Sequence, residues 1–264
     1  MVEDGTLRFI SGGMEGLVPA DYGIPFQSIS CILLEPGSTV SHDALRLLAR
    51  HGTGLVAVGE DGVRMYASMP FGPDDSALAR RQAMTWADSS GLRMKVARKM
   101  YAWRLGELLP DSEITVLRGI EGSRMKETYK RVAEKFGVHW VGRRYDRAKP
   151  EAADFANQAI NHAASAVEAA AMVAVAVCGA LPQLGFIHED SGNAFTLDVA
   201  DLFRDTVTLP VAFGAVREHQ RTGRALERVV RRLAGKTFVD QGLIPNMIDR
   251  IKELFRADDS DGGA

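Results

Sequence analysis

The stretch from Glu151 to Cys178 constrains the fold more than any other part of the chain. It is rich in alanine and, from Ala163 onward, apolar on nearly every side. Alanine is the best helix former and has no side-chain freedom to lose, so the stretch is predicted to be one long helix with Pro150 opening its first turn. A helix without a polar face has to be enclosed, which places it at the centre of a helical domain. Its most hydrophobic part, Ala169 to Ala180, is about 12 residues, short of the roughly 20 that cross a bilayer. Met1 to Asp4 is acidic and precedes glycine-rich sequence, so no leader pattern opens the chain. Cys31 and Cys178 lie far apart with no partner at metal-ligand spacing, and are read as small buried residues. The expectation is a soluble cytoplasmic protein.

The chain ahead of that helix has a different texture. Leu7 to Ile10 and Ser28 to Leu34 read as short strands, the second closed by Glu35-Pro36-Gly37-Ser38. Ser41 is a candidate N-cap for a helix whose apolar face is Leu45, Leu48 and Ala49, with Gly52 at its stop. Thr53 to Val58 and Val63 to Ser68 are predicted to form a hairpin around Glu60-Asp61-Gly62. Two prolines and a glycine between Pro70 and Asp75 mark a linker, placed at 70–77. Beyond it, Ser76 to Ala87 and Leu92 to Leu105 carry apolar residues at helical spacing, as in Leu92, Val96, Met100 and Trp103. The fold class expected is α+β: a small, β-sandwich-like N-terminal domain over 1–69 and a larger all-α domain over 78–264.

Charge is unevenly spread, although the net value is only −2. Residues 91–147 carry 14 basic and 7 acidic side chains, whereas 148–210 carry 2 basic and 8 acidic ones. A basic stretch beside an acidic one suits a protein that binds a polyanion and holds a cation; solvated helix faces give the same counts.

The residues with chemical potential lie in the helical part. Glu121 sits in Leu117-Arg118-Gly119-Ile120-Glu121-Gly122-Ser123-Arg124, where flanking glycines leave room for a close approach. His188 follows the long helix, and Asp198 and Asp201, three apart, share a face if that segment is helical. Carboxylates with one imidazole suit Mg²⁺ or Mn²⁺ better than zinc. Spacing alone is a weak signal, since such a trio is more often surface charge and a satisfied histidine.

Taken in order, Leu33-Leu34-Glu35-Pro36-Gly37, Val40-Ser41-His42, Val58 to Arg64, Leu117 to Arg124, Gly142-Arg143-Arg144-Tyr145-Asp146, Gly185-Phe186-Ile187-His188 and Asp198-Val199-Ala200-Asp201 closely resemble the CRISPR-associated integrase family. This is the catalytic subunit of the spacer-acquisition complex (Cas one), here in its type I-E form, and the resemblance runs from about residue 5 to 250. It implies that Glu121, His188 and Asp201 are metal ligands for Mg²⁺ or Mn²⁺, and that Asp198 is the acid beside them. The implied reaction is attack of a 3′-hydroxyl of captured double-stranded DNA on a phosphodiester of a CRISPR array, with nicking and disintegration as side activities. Partners implied are DNA, a second copy of the chain as a homodimer, and a small ferredoxin-like bridging subunit (Cas two).

Arg118, Arg124, Arg143 and Arg144 are candidate DNA-binding residues, within a cluster that also holds Lys126, Lys130, Arg131 and Arg147. Tyr145 matches a family tyrosine that reads the end of incoming DNA; an aromatic packed beside its arginines is the alternative. Arg217, Arg221, Arg224, Arg228 and Arg231 would form a second basic stripe, but Gly223 is expected to break it. Two other function classes compete: a stand-alone metal-dependent nuclease on branched DNA, and a non-catalytic DNA-binding homologue. Family members carry a further strand ahead of this start, so the resemblance implies either a misassigned start or a shortened homologue, and in the second case an unpaired edge at Leu7 to Ile10 or a neighbouring strand of the dimerisation surface.

Overall fold

The computed structural model describes residues 1–3, 5–11, 20–68, 76–107, 113–144 and 153–256. Strands β1 (Val2–Glu3), β2 (Thr6–Ser11) and β3 (Ala20–Ile24) form one antiparallel sheet in that order. A second sheet contains β4 (Cys31–Leu34), β5 (Gly54–Val58) and β6 (Met65–Ser68), with helix α1 (His42–Arg50) crossing from β4 to β5. Because of that crossover β4 and β5 run parallel, a pairing a tight turn cannot make. The two sheets and α1 share a small core of Leu7, Phe26, Ala44, Leu48 and Leu55, which bears out the sandwich-like expectation. Ser41 does cap α1, its Oγ accepting the Ala44 N–H at 3.3 Å. Between β5 and β6, Asp61 and Gly62 both take positive φ (57° and 70°), the conformation for which an Asp-Gly pair is suited.

Strand β3 was not foreseen: Ala20 to Ile24 contains a glycine and an aspartate, both poor strand formers, and pairing with β2 overrides that preference. The expected linker lies outside the described residues except for Ser76 and Ala77, which already begin helix α2 (Ala77–Ala87).

The rest is helical: α3 (Leu92–Leu105), α4 (Ile114–Phe136), α5 (Phe155–Cys178), α6 (Ala194–Asp201), α7 (Leu209–Thr222), α8 (Leu226–Gln241) and α9 (Leu243–Leu254). Helix α5 starts at Phe155, later than expected, because Asp154 caps it by accepting the Asn157 N–H at 2.8 Å. Pro150 lies outside the described residues. As its composition required, α5 is enclosed, packing against α6, α7, α8, α9 and β6. The helix as a whole, 24 residues long, is long and apolar enough to cross a bilayer, so the shorter span read from the sequence understated it; more than half of its apolar window is buried in the fold. Gly223, at φ 68°, separates α7 from α8 and divides the Arg217–Arg231 stripe as expected.

The β and helical parts dock closely. Val56 and Val58 of β5 pack on Val173 of α5. Gly235 of α8 lies under the β5–β6 turn, where a Cβ would come within 2.2 Å of the Asp61 Cβ.

Candidate metal centre

Four elements bring the chemistry-bearing side chains together: α3 supplies Arg104, α4 Glu121, the segment after α5 His188, and α6 both Asp198 and Asp201. Asp198 is fully buried and organises the group. One of its oxygens accepts the backbone N–H of Phe186 (2.6 Å) and Ile187 (3.1 Å). The other accepts the His188 N–H (2.9 Å) and lies 2.7 Å from His188 Nδ1. A buried carboxylate needs such donors, and this one uses them to fold the 186–188 backbone around itself. The hydrogen bond that His188 donates to Asp198 raises the His188 pKa above its ordinary value, against the effect of burial. With Nδ1–H assigned to Asp198, Nε2 faces Asp201 Oδ2 at 4.0 Å.

Several side chains absent from the sequence reading hold this segment in place. Gln82, fully buried, donates to the carbonyls of Leu181 (2.9 Å) and Leu184 (3.1 Å) and accepts the Leu181 N–H (2.8 Å). Trp86 Nε1 donates to the Gly185 carbonyl at 2.9 Å. At Gly185 a Cβ would fall 2.3 Å from the His188 carbonyl oxygen, so only glycine fits.

Asp201 has a guanidinium on each oxygen. Arg104 Nη1 lies 3.1 Å from Oδ2, and Arg204 pairs with Oδ1. Arg204 opens a π-helical turn, Arg204–Thr208, directly after α6, which aims it back at Asp201. Burial disfavours the charge on Arg204, but Asp201 and Tyr129 more than offset it and its pKa is raised. Arg104 also reaches Glu121, with Nη2 2.6 Å from Oε1. The Glu168 carboxyl on α5 is pushed up by burial first and by the charge of Asp201 second.

The structure thus joins His188 to Asp198, turns its ring toward Asp201, and links Glu121 to Asp201 through Arg104. Among the described residues no three His, Cys, Asp or Glu side chains stand close enough to hold an ion jointly; the Arg104 fork lies between Glu121 and Asp201. The donor types nonetheless fit a hard divalent cation: two carboxylates and an imidazole nitrogen whose ring is already oriented.

The arginines expected to bind DNA take varied positions. Arg118 donates to the Ile187 carbonyl at 2.6 Å and reaches the Tyr101 hydroxyl, so it also braces the site. Arg124 is exposed and pairs with Glu107 at 3.0 Å. Arg143 donates to Asn157 Oδ1 (3.0 Å) and Asn161 Oδ1 (2.6 Å), and the Arg144 N–H to Asn157 Oδ1 (2.9 Å). Tyr145 lies outside the described residues.

Residues 102–234 match the family described as CRISPR associated protein Cas1. The chain is 40% identical over 235 residues to the CRISPR-associated endonuclease Cas1 of Escherichia coli (strain K12), covering 89% of this chain and 76% of that one. It is 35% identical over 262 residues to the protein of the same name from Geobacter sulfurreducens, covering 97% and 83%. A crystal structure described as a TtCas1–DNA complex superposes with a TM-score of 0.86 at 33% identity, covering 97% of this chain and 92% of that one. On the family match and on identity over most of its length, the chain belongs to the Cas1 family of CRISPR-associated proteins.

Proposed function

We propose that this chain is a divalent-metal-dependent DNA integrase and endonuclease that inserts captured DNA into a CRISPR array by 3′-hydroxyl attack on a phosphodiester. The observation that carries the proposal is the His188 imidazole, locked by buried Asp198 and facing Asp201, with Glu121 joined to Asp201 through Arg104. Curated relatives are named endonucleases, and a similar solved structure is described as a complex with DNA, which supports the same chemistry here.

Glu121, His188 and Asp201 would hold Mg²⁺ or Mn²⁺. When bound, such an ion polarises a phosphodiester and lowers the pKa of an attacking hydroxyl or water, the chemistry common to hydrolysis and transesterification. The chain's own residues supply the rest. Asp198 fixes the imidazole in one tautomer and one orientation. Gly119 and Gly122 flank Glu121 on α4, and a Cβ at either would meet nothing within 4 Å. Packing among the described residues does not require these glycines, and a side chain in either place would stand where a DNA backbone has to approach. Arg118, Arg124, Arg143 and Arg144, with Tyr145, are the proposed DNA contacts; a homodimer and a small bridging subunit complete the proposed assembly.

The test is a half-site integration assay with Mn²⁺ and branched DNA, with and without the bridging subunit. Replacing Glu121, His188 or Asp201 by alanine should remove both integration and disintegration while DNA binding persists. Cutting of branched DNA without any integration would assign a stand-alone nuclease instead, and full activity in all three variants would refute the site.

A further inference from the structure

Arg104 differs from the other cations of the site. It is 7% exposed, and its fork spans two of the proposed metal ligands, with Nη2 2.6 Å from Glu121 Oε1 and Nη1 3.1 Å from Asp201 Oδ2. The remaining Asp201 oxygen is engaged by Arg204. Two carboxylates meant for a divalent ion are thus already matched by two buried or half-buried positive charges.

We propose that Arg104 is a built-in competitor of the divalent cation: it acts as counter-ion to Glu121 and Asp201 and has to release them when the ion binds, so it sets the metal affinity of the site. The proposal rests on the metal-dependent reading above and adds a role for Arg104 within it.

Three observations favour competition over support. First, Glu121 and Asp201 would hold the ion through the same carboxylates that the fork already uses. Like charges that close, in a pocket largely shielded from water, repel strongly. Second, the fork is held by those carboxylates and little else: Nε is buried with no hydrogen-bond partner among the described residues. A guanidinium built to stay and orient ligands would have its remaining donor tied down, as His188 has its Nδ1 tied to Asp198. Third, the fork has somewhere to go. Arg104 lines a cavity of about 310 Å³ whose wall holds three acids, Glu107, Glu127 and Asp205, and two other cations, Arg124 and Arg131, so a displaced guanidinium would still have acidic neighbours, of which Glu107 is already paired with Arg124.

The supporting alternative predicts the opposite sign, because removing a group that orients ligands weakens metal binding. The experiment is a Mn²⁺ titration read by electron paramagnetic resonance, without DNA, on the wild type, Arg104→Met, Arg104→Lys and Glu121→Ala. Arg104→Met should bind Mn²⁺ at least about tenfold more tightly than wild type, since one nearby like charge at a partly screened site exceeds that in energy. Arg104→Lys, which keeps the charge, should change affinity less. In EDTA, Arg104→Met should melt below wild type and gain more on adding Mn²⁺, because its carboxylates have lost their counter-ion. If Arg104→Met does not fold without metal, Arg104→Gln keeps a hydrogen-bond donor without the charge and gives the same reading.

Unchanged or weaker Mn²⁺ binding on removal of the charge, with binding still abolished by Glu121→Ala, would overturn the role of Arg104 and leave the metal centre standing. Mn²⁺ binding absent from wild type and Arg104→Met alike would overturn the metal centre and this proposal together.

Discussion

Nδ1 of His188 lies 2.7 Å from Oδ1 of Asp198, a carboxylate with no exposed surface that also gathers the N–H groups of residues 186, 187 and 188. The imidazole and the backbone that carries it are thereby fixed by one side chain.

Asp198→Asn keeps the shape but replaces an acceptor oxygen with an NH₂ that faces donors. Leaving buried N–H groups without an acceptor should cost roughly 3 kcal/mol of stability, visible as a lower urea midpoint. Mn²⁺ affinity should fall about 10- to 100-fold, as when an outer partner of a ligating histidine is removed. A variant with wild-type stability and wild-type Mn²⁺ binding would show that Asp198 does not organise the site.

The glycines of the site should respond in opposite directions. Gly185→Ala places a methyl against the His188 carbonyl at 2.3 Å and should destabilise by about 1–3 kcal/mol while weakening Mn²⁺ binding. Gly119→Ala meets open space inside α4 and should stabilise by up to about 1 kcal/mol. If the open face of α4 admits DNA, that same alanine should lower integration. Thermal melts and integration assays on both variants decide the matter, and a stabilised Gly119→Ala with full activity would place the DNA elsewhere.

Arg124 offers the cleaner electrostatic test, because its surface pairing with Glu107 contributes little to stability. Arg124→Gln should weaken binding to unrelated DNA sequences by similar factors and reduce the slope of log K against log salt by about 0.9. Arg143→Gln should add a loss of stability, since Arg143 bonds Asn157 and Asn161 at the start of α5. An unchanged salt slope for Arg124→Gln would remove it from the DNA path.

Burial raises the Cys31 and Cys178 thiols to about 11. In the range between the unfolded value near 9 and the folded one, the folded state binds more protons, so stability should fall as pH rises from about 9 to 11. At pH 8 both thiols should react slowly with a disulfide reagent, and rapidly once the chain is unfolded in urea. Fast native reaction at pH 8 would show the thiolates to be accessible and stabilised.

Features set by neighbouring residues were legible in the sequence. The Ser41 cap, the Asp61-Gly62 turn, the stop at Gly223 and the enclosure of the alanine-rich helix each follow from local propensity or composition. The start of that helix was misplaced because Asp154, four residues after the proline, is the better cap. Strand β3 and the parallel pairing of β4 with β5 depend on which distant segment lies alongside, and no local pattern encodes that. The same division holds at the site. Glu121, His188, Asp198 and Asp201 were picked out by family resemblance, with spacing too weak a guide. Gln82 and Arg104 were not picked out at all: they meet their partners at Leu181 and Asp201 across 99 and 97 residues of chain. In sequence Arg104 is one more charge in a basic segment. Only tertiary packing, by burying its fork between two carboxylates, makes it part of the site, because the strength of a charge pair depends on its distance and its shielding from water and not on its place along the chain.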